Sequence, residues 1–208
     1  GLGKLEFTPQ QADYTALLQD PISGTTRRIE LPKALQSGLS IHVQNPSDGS
    51  VISALIQGVG VSGKLLLVTH TRGLINYMAE GTLVNGVWGV RIPKKNLPSG
   101  IHTIALLDEQ GRPLLERLVF VQNKDQLTLE LNASSEPLQP RGKVNLNLKS
   151  AFQDSIAQAS LSFSVVDLDQ VEDQSDLQGT LYSHLLLTSD LKGTVYRPGY
   201  YFRKDIPN

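Results

Sequence analysis

The sequence predicts an all-β protein made of tandem antiparallel β-sandwiches of the immunoglobulin-like type, with one short helix near the C-terminus. Three observations carry that prediction. Short apolar runs of strand composition recur between clusters of Gly, Pro, Asn, Asp and Ser from residue 39 to 121. Helical spacing of apolar positions never persists there for the roughly ten residues a packed helix needs, so a parallel sheet has no crossover helices to use. The stretch LPSGIHTIALLDEQGRPLLERLVFV at 97–121 sets two apolar runs around a compact polar turn, Asp108-Glu109-Gln110-Gly111-Arg112-Pro113. It reads as a β-hairpin.

Taken in order, residues 1–36 hold strand-like KLEF, YTALLQ and RRIEL, joined by Thr8-Pro9 and Pro21-Ile22-Ser23-Gly24. They are expected to be strands of a preceding unit. Residues 37–124 hold seven runs, LSIHVQN, SVISALIQ, KLLLVTHT, LINYMAE, VWGVRIP, IHTIALLD and PLLERLVFV. Seven strands make one sandwich. Asn45-Pro46-Ser47-Asp48-Gly49 and Asn85-Gly86 are turn signals, since Gly and Asn tolerate positive φ and Pro presets φ at a turn's second position.

Residues 125–208 are expected to form a second sandwich, complete or incomplete, from LTLELNA, KVNLNLKS and ASLSFSVVDL. In the second of these, Val144, Leu146 and Leu148 share one face while Asn145 and Asn147 take the other, as a sheet with one solvated side requires. A short helix is expected near 176–192. Ser175-x-x-Gln178 fits a capping box, Leu181, Leu185, Leu186 and Leu191 share a helical face, and Gly193 is a stop signal. Gly179 weakens such a helix by about 1 kcal/mol relative to Ala, and the leucines at 185–187 also suit a buried strand.

Composition narrows the function. Lys plus Arg total 19 against 20 for Asp plus Glu, scattered without a basic block, which argues against nucleic acid as a partner. No window approaches the roughly 20 apolar residues of a membrane span, and GLGKLEFTPQ lacks the regions of a signal peptide, so the stretch reads as a segment of a longer chain. Cysteine is absent, which removes disulfides, thiolate metal sites and cysteine nucleophiles.

Several motifs invite chemistry. Gly58-Val59-Gly60-Val61-Ser62-Gly63-Lys64 matches the first seven positions of a phosphate-binding loop, but Leu65 stands where a metal-binding hydroxyl belongs, and LLLVTHT cannot start a helix. A glycine-rich strand connection is the expected outcome. Asp167, Asp169, Glu172, Asp173 and Asp176 crowd the end of a β run; the first four form a weak calcium candidate, although Val171 and Glu172 break the regular calcium-loop pattern. An enzyme built on these carboxylates is a weaker reading still. His42, His70, His102 and His184 lack metal-ligand spacing, and no G-x-S-x-G nucleophile elbow is present. Trp88 and the cluster Tyr196, Tyr200, Tyr201 and Phe202 are candidate ligand or partner contacts, because exposed aromatic rings stack on sugars or dock on neighbours.

Three stretches carry a resemblance: FTPQQADYTALL at 7–18 with LPKALQSGLSIHV at 31–43, the hairpin at 97–121, and SLSFSVVDLDQV with LLLTSDLKGTVYRPGYYF toward the end. Together they resemble the macroglobulin-like domains of large Bacteroidetes envelope proteins, some of which also carry a TonB-dependent receptor plug-like or carboxypeptidase regulatory-like domain. The resemblance implies an exported protein, periplasmic or outer-membrane-associated, in which the sandwiches act as spacers and contact surfaces. It implies no catalysis. Covalent trapping by a thioester needs a cysteine that this segment lacks. Asp154-Ser155-Ile156 also resembles the short O-glycosylation acceptor of that bacterial group, which marks Ser155.

The expectation is therefore a non-catalytic structural and protein-interaction module of a larger envelope protein. Its partners would be other domains of the parent chain and envelope proteins, and no cofactor is implied. The alternative is a glycan- or ligand-binding sandwich that uses the C-terminal aromatics.

Overall fold

The computed structural model describes residues 7, 13–123, 125–133, 141–153, 155–167, 169–171 and 179–203. The first hairpin pairs β1 (Thr15–Gln19) with β2 (Thr26–Glu30) in antiparallel register. Its loop is held by the Asp20 carboxylate, which accepts from the Ile22 amide at 2.9 Å and the Ser23 hydroxyl at 2.6 Å. Nearly every side chain of this hairpin is exposed, as expected of two strands without a covering layer.

The seven runs expected between 37 and 124 form seven strands: β3 (Gly38–Gln44), β4 (Val51–Val59), β5 (Leu65–Thr71), β6 (Leu74–Gly81), β7 (Val87–Pro93), β8 (Gly100–Leu107) and β9 (Pro113–Val121). They pair in two antiparallel sheets, ordered β3-β4-β7 and β6-β5-β8-β9. The protein is all-β with sandwich packing. β6 stays with β5 because the two-residue turn between them, Arg72-Gly73, has φ of 48° and 81°, the doubly positive geometry that matches strand twist. Asn85-Gly86 makes the same kind of turn, with φ of 53° and 78°, but there the chain passes from one sheet to the other.

Period-two alternation builds the core. On β4, Ile52, Ala54 and Ile56 point inward while Ser53, Leu55 and Gln57 face out. Across the layer, Leu67, Ile104, Leu106 and Val121 meet Ile52, Ile56 and Ile92, all essentially inaccessible to water. Residues 97–121 form the expected hairpin. Asp108 organises its turn by accepting from the amides of Gln110 and Arg112, both at 2.9 Å, and from Arg112 Nε at 2.6 Å.

Past the sandwich, β10 (Thr128–Ala133), β11 (Leu146–Phe152) and β12 (Ser155–Ile156) form one antiparallel sheet. Leu131 stands opposite Leu148 and Ala133 opposite Leu146, so one face is apolar, yet Leu129, Leu131, Leu146 and Leu148 remain exposed. The expected strand over ASLSFSVVDL has no ladder pairing among the described residues, and Leu161, Phe163 and Val165 lie exposed.

The expected helix is shorter than 176–192 among the described residues: an α-turn, Leu181–Ser183, runs into a π-helical turn, His184–Thr188. Ser175-x-x-Gln178 lies outside the described residues. Among the described residues a capping box joins Thr180 and Ser183, whose side chains each accept from the other's amide, at 3.1 Å and 2.8 Å. Gly179 precedes the helix at φ 75° and does not weaken its interior. A 3-10 turn, Pro198–Phe202, ends the described chain.

Candidate functional site

β3, β7 and β9 all end at the same end of the sandwich, where the chain leaves toward β10. There the β3–β4 turn, the 3-10 turn Lys94–Asn96 and the end of β9 meet Gln126, Thr128, Gln153 and Tyr201 around a cleft of about 1160 Å³. Its frame is a network of amide and hydroxyl bonds. Asn45 donates to the Phe120 carbonyl at 2.7 Å and so ties β3 to β9. Asn123 donates to the carbonyls of Lys94 and Leu97, while Ser99 binds the Asp125 carboxylate.

Among the described residues Lys94 is the charged side chain of the lining, and its residue is only 8% exposed. Its ammonium donates to the Pro46 carbonyl, and among the described residues no carboxylate forms an ion pair with it. Burial pushes the Lys94 amine below its ordinary value, and the negative charge of Asp48 opposes that shift. The Asn45 carbonyl oxygen is also buried without a partner among the described residues.

The aromatic candidates separate into different roles. Trp88 is half-buried on the core face of β7, and a Cβ on Gly81 would lie 2.2 Å from its ring. Phe202 packs inward, edge-on to Phe120 at 5.7 Å and to Tyr182 at 4.9 Å between centroids. Tyr201 is 61% exposed and lines the cleft, with Tyr200 edge-on beside it at 5.8 Å. Tyr196 is 80% exposed and away from that lining.

Of the calcium candidates, Glu172 and Asp173 lie outside the described residues. Asp167 spends its carboxylate locally, accepting from the Asp169 amide at 3.0 Å and the Gln170 side chain at 3.1 Å. Among the described residues no group of three His, Asp or Glu side chains is gathered as a metal site. Ser155 is exposed on the short β12, next to Asp154, which lies outside the described residues.

The glycine-rich run forms the end of β4 and its connection to β5, and the Lys64 amide donates to the Glu109 carboxylate at 2.7 Å. A carboxylate at that amide opposes a phosphate by charge. His42 and His184 are exposed, His70 is half-buried, and His102 is wholly buried with Nε2 at 2.8 Å from the Pro98 carbonyl.

Sequence reasoning missed Lys94 and Arg72. Arg72, in the β5–β6 turn, binds both carboxylate oxygens of Asp190, at 2.8 Å through Nη2 and 3.3 Å through Nε, and also the Leu185 carbonyl. It thereby fastens the C-terminal helical turns to the sandwich. The Arg-Gly pair was a usable turn signal, but nothing local pairs Arg72 with an acid more than a hundred residues away.

These features define a β-sandwich protein with a junctional cleft. No family model and no curated protein sequence matches the chain. Among the described residues no helix is long and apolar enough to cross a membrane.

Proposed function

We propose that this chain is a non-catalytic module of a larger exported bacterial envelope protein, acting through contacts with other domains of its parent and with envelope proteins. The observation that supports the reading most is the exposed apolar row on β10 and β11. Leu129, Leu131, Leu146 and Leu148 form one face of a sheet whose other face is polar, and such a face gains stability only when another protein layer covers it. The β1–β2 hairpin adds exposed Leu17, Leu18 and Ile29 on the other side of the sandwich in sequence. The resemblance to macroglobulin-like envelope domains supports export.

Hydrogen exchange tests the contact reading. Amides of β10 and β11 are expected to exchange fast in the isolated chain and to become protected in the intact parent protein. Equal exchange in both settings would remove the reading. Fractionation of the producing cells tests the location: the parent is expected with the periplasm or outer membrane, and recovery from the cytoplasm overturns that part.

A further inference from the structure

We propose that the cleft at the end of the sandwich binds an acidic saccharide, with the Lys94 ammonium meeting a sugar carboxylate and the Tyr201 ring lying against a sugar face. This goes beyond the contact-module reading, which assigns no ligand. The volume, about 1160 Å³, is ample for several sugar units.

The charge pattern selects the ligand. An ammonium has three donors; the Pro46 carbonyl takes one, and among the described residues no carboxylate reaches ion-pair distance of the rest, Asp48 acting on it only from farther away. A cation so far removed from water carries a desolvation penalty that an incoming anion relieves. Lys94 is the one charged residue among the described lining, so the site suits an isolated carboxylate rather than a polyphosphate, which would need several cations.

The remaining lining selects a sugar over a peptide. Gln122, Gln126 and Gln153 supply side-chain amides, of which Gln126 already donates to the Asn123 carbonyl and Gln122 approaches the Tyr182 hydroxyl, and Ser47 and Thr128 supply hydroxyls. Sugar hydroxyls need that mixed donor and acceptor surface, whereas an extended peptide is held by a free strand edge. Tyr201, more than half exposed, adds an apolar ring for the C–H face of a pyranose.

Calorimetric titration with sialyllactose, a trisaccharide with one carboxylate, with neutral maltotriose and with a blocked tripeptide carrying one glutamate tests the proposal. Sialyllactose is expected to bind at least about tenfold tighter than maltotriose, and to weaken as salt is raised. Tyr201→Ala, at an exposed site, is expected to weaken it about tenfold without moving the unfolding midpoint. Lys94→Met is expected to abolish the preference for the acidic sugar. If that variant does not fold, the salt dependence and Tyr201→Ala still decide. Absence of sialyllactose binding, equal binding of the neutral sugar, tighter binding of the peptide, or indifference to Tyr201→Ala overturns the proposal.

Discussion

His102 lies wholly inside the sandwich, on the same face of β8 as Ile104 and Leu106. The Pro98 carbonyl can only accept, so Nε2 carries a proton, and Nδ1 is buried without a partner among the described residues. Burial holds its pKa below the ordinary value; the Pro98 carbonyl opposes the shift, and the nearby His70 adds to it. The unfolded chain, with a histidine pKa near ~6.5, therefore binds a proton that the folded chain refuses. The resulting stability is complete above that pH and declines as pH falls below it. Thermal unfolding followed by circular dichroism is expected to show a midpoint falling from pH 7.5 to pH 5, and His102→Leu is expected to flatten that slope. Gly81→Ala is expected to destabilise by about 1–3 kcal/mol, because the new Cβ would collide with the Trp88 ring; chemical denaturation measures it. Neither effect is legible from neighbours in sequence. Lys94 follows a proline in a polar stretch and reads as surface, and only the meeting of the β3–β4 turn with the end of β7 buries it.

Elements were legible where their chemistry is local. The β8–β9 hairpin carries its own instructions: an Asp whose carboxylate gathers the next amides, a glycine at φ 76°, and a proline opening the return strand. The C-terminal helix was only partly legible. A serine, rather than the usual Glu or Gln, completes its capping box, so Thr180 and Ser183 gave no recognised signal. Its attachment depends on Arg72, Asp190 and the rings of Phe120, Tyr182 and Phe202, which are distant in sequence. Arg72→Ala is expected to speed hydrogen exchange across 181–189 while lowering sandwich stability by less than about 1 kcal/mol, since the pair is partly solvent-screened. Unchanged exchange there would mean that the aromatic contacts alone hold the segment.

For the whole molecule, the count of strand runs sufficed to anticipate a seven-stranded sandwich, because each run alternates and each gap contains a turn residue. The pairing of β6 with β5 rather than β7 was not legible, since it follows from one turn's backbone angles. The buried core comes almost entirely from β4, β5, β7, β8 and β9. A fragment spanning 37–123 is therefore expected to unfold in one cooperative transition, whereas a fragment spanning 125–203 is expected to show none. Calorimetry on the two fragments checks this, and a cooperative transition in the second would show that β10, β11 and β12 hold a core of their own.

The clasp between Arg72 and Asp190 also sets how tension would travel through the chain. While it holds, a pull on residue 203 is shared between the β5–β6 turn, through Arg72, and β9, through the Phe120 ring against Phe202. Only when the clasp and the ring contact have both opened does the load pass along the chain to the end of β9. The C-terminal turns would then come away at low force before the sheets resist.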